Sequence, residues 1–213
     1  LFQMTNTQKL AILGMAGPII FVLGIIIAGV NYGGYSHISQ EISQLGGVGS
    51  EYPWIQNLNF YLLSLSVIGF TFALHRAVGG GKGSIIGPIL IGVFGFSSAG
   101  LNSVLPCDTL CEGITASGKL HLITGVLGFL LMAIGLIVFS RRMTKVADWK
   151  TYSRYTLASG ILAFILFIAA GAAGGDEADG IDGLMQRIFI ANYLIWLFVT
   201  GLKIVRNPEL SND

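Results

Sequence analysis

The sequence predicts an all-α, polytopic membrane protein of six transmembrane helices, with a short interfacial helix in the first extracytoplasmic loop. Three observations carry that expectation. Six apolar stretches approach the ~20 residues that cross a bilayer: about Leu10–Val30, Asn57–Leu74, Ser84–Val104, Leu120–Phe139, Tyr155–Ala173 and Ile188–Val205. Of 213 residues, 53% are hydrophobic and only 11% charged, against roughly 25% charge in a soluble domain. The few charges are also sorted by side. Ten of the twelve basic residues (Lys9, Arg76, Lys82, Arg141, Arg142, Lys145, Lys150, Arg154, Lys203 and Arg206) flank the stretches at one end, while Glu41, Glu51, Asp108, Glu112, Asp176, Glu177, Asp179 and Asp182 gather at the other.

Loops rich in Lys and Arg stay in the cytoplasm. This places both termini there, in a cell (inner or plasma) membrane, with the acidic side outward. Leu1–Gln3 reads as the scar of a protease-site tag, leaving residues 4–213 as a single six-helix transmembrane domain. The first stretch is too long for a signal-peptide core and lacks a small-residue cleavage site, so it counts as a span. Pro18 and Pro88 fall near cytoplasmic ends, where a lost backbone bond costs least. The first outer loop, Asn31–Gln56, runs about 26 residues, a length that usually signals function. Within it Ile38, Ile42 and Leu45 recur at i, i+4, i+7. They predict a short helix over Tyr35–Leu45, capped by Ser36, lying apolar side down on the membrane. The basic run Ser140–Arg154 is a topology signal beside anionic lipid. Thirty glycines suit close helix packing. Those of the third and fourth stretches (Gly92, Gly95, Gly100, Gly125, Gly128, Gly135) mark contacts either within one chain or between chains of a homo-oligomer.

The residues able to carry chemistry lie on the outer side. His37 and Glu41, at i, i+4, are half of a metal site or a base with its carboxylate, or else a wetted polar face, the reading that a lone H-x-x-x-E favours. Cys107 and Cys111 stand alone in the chain on an outward loop and predict a disulfide. A redox role would call for a second thiol pair, and a metal site for more ligands. Asp108, between them, can approach His121 at the start of the fourth helix. The pair is either a base with its orienting carboxylate or a structural bond pinning the loop. Arg187 breaks the positive-inside trend and sits unfavourably at a helix N-terminus. Its compensation is an ion pair with the acidic loop GGDEADGIDG or a lipid phosphate, which matches the guanidinium fork. That loop's spacing does not fit an EF-hand, so it reads as a solvated surface. His75 reads as a headgroup anchor. No metalloprotease, hydrolase, Walker or dinucleotide motif occurs, and no basic stripe suggests nucleic acid. Neither a cofactor nor a bound metal is expected.

GYSHISQEISQLGG, then YPWIQNLNFYLLSL, LPCDTLCEG with GKLH, and GLMQRIFIANYLIW together resemble the domain-of-unknown-function 998 family of six-helix prokaryotic membrane proteins. The likeness covers essentially the whole chain after Met4. The first half is more distantly similar to the Frag-one/DRAM/Sfk-one group, which is linked to lipid remodelling and asymmetry. The resemblance implies fold and topology, and by motif match it singles out Ser43, Leu45, Gly46, Asn59, Asp108, His121 and Arg187.

Three function classes follow, in order. The first is a protein that binds or modifies a lipid headgroup in the outer leaflet. His121 would be its base, Asp108 the orienter and Arg187 the phosphate ligand, with His37, Glu41, Ser43 and Asn59 on the headgroup. Ser39 and Ser43 are the candidate nucleophiles. The second is a non-catalytic scaffold that binds a membrane-protein partner, and the third is a small-solute transporter. The residues leave open whether any reaction is catalysed.

Overall fold

Thr5 starts the first helix by a reciprocal cap. Its hydroxyl accepts from Gln8 N and its own amide donates to Gln8 Oε1, each at 3.1 Å, satisfying donors that a helix start leaves open. The computed structural model describes residues 3–172 and 180–207. Among these, every regular element is helical. The six long elements are α1 (Asn6–Val30), α2 (Pro53–Ala77), α3 (Ile86–Phe94), α4 (Ala116–Met143), α5 (Tyr152–Ala172) and α6 (Asp182–Arg206). Short irregular turns extend α3 at both ends to give a span of Lys82–Ser103, and all six spans are long and apolar enough to cross a membrane. This is a multi-pass membrane protein.

The helices form a ring in chain order: each packs on the next, and α6 returns to α1. Gln8 Nε2 closes the ring by donating to Val205 O at 2.9 Å. Small residues permit the close approaches. A Cβ on Gly14 would lie 2.7 Å from the Phe70 ring, and one on Gly17 2.6 Å from Ser66 Cβ. In α3 and α4, Gly95 abuts Val67 and Gly135 abuts Ile91 and Leu90. These glycines therefore serve contacts within one chain.

The basic residues Arg76, Arg141, Arg142, Lys203 and Arg206 close the last turns of α2, α4 and α6 at one end of the ring. This basic end is tied by Trp149 Nε1 donating to Ala77 O at 2.9 Å and by Arg142 donating to Val78 O at 2.9 Å. The opposite, acidic end carries the long first loop and the Cys107–Cys111 disulfide. Toward that end α3 widens into a π-helical stretch, Gly95–Gly100. Such stretches often occur at functional sites. Here it brings Ser98 and the following Asn102 against α4. Ser98 Oγ donates to Gly125 O at 2.9 Å, and Thr124 Oγ1 donates to Asn102 Oδ1 at 2.6 Å.

The short helix of the first loop is displaced from its expected position. Residues 37–40 form turns, and a 3-10 helix occupies Ile42–Gly46. Ile42 and Leu45 are buried, but Ile38 is 57% exposed. An α-helix through this segment fails because its backbone groups find partners elsewhere. Tyr35 Oη donates to the carbonyls of Gln40 and Glu41, at 3.1 and 2.8 Å, and Ile42 N donates to Gln186 Oε1 at 2.7 Å. Glu41 is extended, with ψ of 153°, so His37 and Glu41 do not share a helix face. Ser36 does act as a local cap, accepting from the amides of Ile38 and Ser39 at 3.3 Å.

A candidate site beneath the first loop at the acidic end

The first loop is held down at two places. On one side, the start of α6 grips it. Leu184 N donates to Ile38 O at 2.8 Å, Gln186 takes the Ile42 amide, and Arg187 Nη1 donates to Gln40 O at 2.8 Å. Gly183 makes this approach possible, because a Cβ there would lie 2.7 Å from the Gln40 carbonyl carbon. On the other side, Val48 N donates to Cys107 O at 3.1 Å, and Gly47 packs on Cys107 Sγ.

Asp108 belongs to this second anchorage. Its carboxylate accepts from Ile114 N at 2.6 Å, Thr115 N at 3.2 Å and Thr115 Oγ1 at 2.6 Å. Thr115 is in turn the N-cap of α4, accepting from Gly118 N at 3.0 Å. The Thr115 hydroxyl, followed by the surrounding amides, holds the Asp108 carboxyl below the usual carboxylate range despite partial desolvation. An anion at a helix N-terminus is favoured as well. The expected pairing of Asp108 with His121 is not formed. Both nitrogens of His121 are engaged elsewhere, and Asp108 pins the disulfide loop to α4.

His121 is 4% exposed. Its Nδ1 lies 2.6 Å from Leu105 O and its Nε2 3.0 Å from Ser43 Oγ. A carbonyl can only accept, so Nδ1 carries the proton, and in the neutral ring the Nε2 lone pair then faces the Ser43 hydroxyl. The backbone of Leu105 thus takes the orienting role that had been expected of Asp108.

Ser43 and His121 line a cavity of about 450 Å³ between the 3-10 turn, α4, α5 and α6. Polar groups from Ser39, Gln44, Asn102, Asp182 and Gln186 share it with apolar walls such as Leu122, Val126 and Phe167. Its lining also includes Phe129 and Phe189, whose ring centroids are 4.9 Å apart; Phe129 stacks on Tyr193, and Phe189 meets Tyr193 edge-on. Among the described residues, two fully buried acceptors of residues that line it, Gln44 Oε1 and Asp182 Oδ1, have no hydrogen-bond partner.

Arg187 and His37 stand apart from this cavity, over a groove of about 320 Å³ between α1 and α6. Arg187 donates to Gln40 O and Gly183 O at 2.8 Å, to Tyr35 Oη, and to His37 Nδ1 at 3.0 Å. Among the described residues, these hydrogen-bond acceptors are all neutral. Burial and then the nearby guanidinium hold His37 below its ordinary pKa. Burial raises the Tyr35 phenol, although Arg187 pulls it down. Below the guanidinium the groove is apolar, formed by Val22, Ile25 and Ile26 of α1 and Ile190, Ala191 and Leu194 of α6.

Among the described residues, Asp108, His121 and Arg187 therefore form no single polar cluster. Glu41 and Ser43 line the cavity, and His37 lines the groove. Asn59 is buried against α1, donating to Phe21 O at 2.9 Å and to Gln56 Oε1 at 3.2 Å. Of the acidic loop proposed to neutralise Arg187, Asp176, Glu177 and Asp179 lie outside the described residues. Among the described residues, no three His, Cys, Asp or Glu side chains converge as metal ligands. Sequence reasoning passed over Tyr35, Gln186 and the Leu105 carbonyl. Gln186 had a signal, since it immediately precedes Arg187 in the Gln-Arg pair that opens the sixth stretch.

No curated protein and no solved structure matches the chain. A family model described as a protein of unknown function, DUF998, matches residues 15–203, and the chain belongs to that family.

Proposed function

We propose that the protein binds a phospholipid of the extracytoplasmic leaflet, with both termini in the cytoplasm and the acidic end facing out. The observation that carries this reading is the groove between α1 and α6. A guanidinium held by neutral acceptors sits directly above an apolar channel. From Arg187 to Leu194 the channel runs about 10 Å down α6 at 1.5 Å per residue. That fits the upper part of one acyl chain, and Arg187 then lies at headgroup depth. The planar fork suits a phosphate, and an anion there would also meet the favourable start of α6. The positive-inside trend supports the orientation.

The test is native mass spectrometry of the protein released from nanodiscs that contain phosphatidylglycerol. The wild type is expected to retain the lipid. Arg187→Ala should lose about tenfold or more of that retention, the scale of one charge-assisted hydrogen bond. Ala191→Phe fills the channel without removing an Arg187 partner and should lose it as well. Lys82→Ala, at the basic end, should not. Equal retention by all four proteins would reject the reading.

A further inference from the structure

We infer that Ser43 is a nucleophile activated by His121, and that the cavity beneath the first loop takes a fatty acyl ester for hydrolysis. The inference adds a reaction to the lipid-binding reading, at a separate site. It stands on the cavity and does not need the groove.

The geometry is that of an activated serine. The Ser43 hydroxyl lies 3.0 Å from His121 Nε2, and the opposite ring nitrogen is fixed by Leu105 O at 2.6 Å. A nucleophile within hydrogen-bond reach of a base, itself oriented by a third group, is the general signature of covalent catalysis. A backbone carbonyl does the orienting here, and it holds the tautomer that leaves Nε2 free to receive a proton. Ser43 is half-buried on the cavity wall, and His121 is buried beside it. Water access to the base is thereby limited.

The lining names the substrate class. Rings and aliphatic chains of Leu122, Val126, Phe129, Phe167 and Phe189 suit an acyl chain. Two side-chain amides that line the cavity, Gln186 and Asn102, are the donors assigned to the ester carbonyl. Gln186 Oε1 accepts from Ile42 N and Asn102 Oδ1 accepts from Thr124 Oγ1, which turns the NH₂ end of each toward other partners.

Ser43 Oγ attacks the ester carbonyl carbon, forming a new C–O bond, while its proton passes to His121 Nε2. The tetrahedral intermediate collapses by breaking the bond to the alkoxy oxygen, which leaves as the alcohol after taking the proton from Nε2. Water then attacks the acyl-Ser43 ester with His121 again as base, releasing the carboxylic acid and restoring the serine hydroxyl.

The test is an alkyl fluorophosphonate, which phosphonylates activated serines, followed by peptide mass spectrometry of the full chain in nanodiscs. Label is expected on Ser43 and not on Ser39. It should form at least about 100-fold more slowly in His121→Ala, the scale of a lost general base. A monoacylglycerol should slow labelling of the wild type. Failure of the folded wild type to label at Ser43 overturns the proposal without any variant, and so does a His121→Ala protein that labels at the wild-type rate. Labelling that a monoacylglycerol leaves unchanged overturns the substrate class. Ala191→Phe, which blocks the groove and leaves the cavity lining intact, should label normally. Loss of groove binding and loss of reactivity are therefore read separately.

Discussion

Gly183→Ala should be among the more damaging single-methyl additions in this chain. The new Cβ would lie 2.7 Å from the Gln40 carbonyl carbon and 2.9 Å from Arg187 Nη1. The carbonyl is backbone and cannot swing away like the tip of a flexible side chain, so the first loop must lift from α6. Three hydrogen bonds cross that contact: Leu184 N to Ile38 O, Ile42 N to Gln186 Oε1, and Arg187 Nη1 to Gln40 O. At about 1 kcal/mol net for each neutral bond and somewhat more for the charged one, the loss is about 2–4 kcal/mol. The matched control is Gly92→Ala, whose Cβ would meet Thr71 Cγ2 at an ordinary 3.4 Å. There the better helix propensity of Ala, worth up to ~1 kcal/mol, should leave stability unchanged or raised. Thermal unfolding in detergent reads both, and limited proteolysis within residues 36–46 reports whether the loop has lifted. If Gly183→Ala unfolds at the wild-type temperature with the loop equally protected, the clasp between the first loop and α6 is wrong.

Three further outcomes are expected. Non-reducing alkylation with mass spectrometry should find Cys107 and Cys111 blocked, and two freely alkylated thiols would contradict the disulfide. Asp108 is held below its ordinary pKa by Thr115 and the adjacent amides, so its contribution is present above the unfolded carboxylate range, near pH 4, and is lost as pH falls through the lower folded value. Asp108→Asn should therefore destabilise the protein at pH 7 and flatten that acid limb, and an unchanged limb would show that Asp108 does not pin the loop. His37 has the opposite chemistry but the same sign. Its folded pKa is lowered by burial and by Arg187, so its neutral form favours folding above about pH 6.5, and that stability declines as pH drops below it. NMR titration should find His37 below the ordinary value in zwitterionic detergent and higher once an anionic phospholipid is added. No movement on adding lipid would count against a phosphate beside Arg187.

The architecture was legible because the bilayer imposes it. Six apolar stretches and a sorted charge pattern leave few alternatives to a helical bundle, and most helices run a few residues beyond the apolar runs. The Cys107–Cys111 pairing was equally readable from two isolated cysteines on one loop. The first loop was read less well. Its i, i+4, i+7 pattern at Ile38, Ile42 and Leu45 is helical in form, yet Tyr35 and Gln186 draw its backbone groups into tertiary bonds that no local pattern encodes. The candidate site was half legible. His121, Ser43 and Arg187 were recognisable as polar residues at one membrane face. Their pairing was not, because the decisive partner of His121 is a backbone carbonyl, which every residue possesses and the sequence cannot single out. Asp108 turned to the amides and hydroxyl six and seven residues ahead of it. Those amides lie at an α4 start set by Thr115, about four residues before the apolar stretch begins.

The proposed outer-leaflet phospholipid sits at Arg187, at the acidic end of the bundle. The most direct test of this placement is a high-resolution cryo-electron-microscopy map of the protein in phosphatidylglycerol nanodiscs, with an antibody fragment bound for size. Phosphate density is expected within hydrogen-bonding distance of Arg187, with acyl-chain density running between α1 and α6 past Ile190 and Leu194. A groove without lipid density in a map that resolves lipids elsewhere around the bundle, or a phosphate seated away from Arg187, would contradict it.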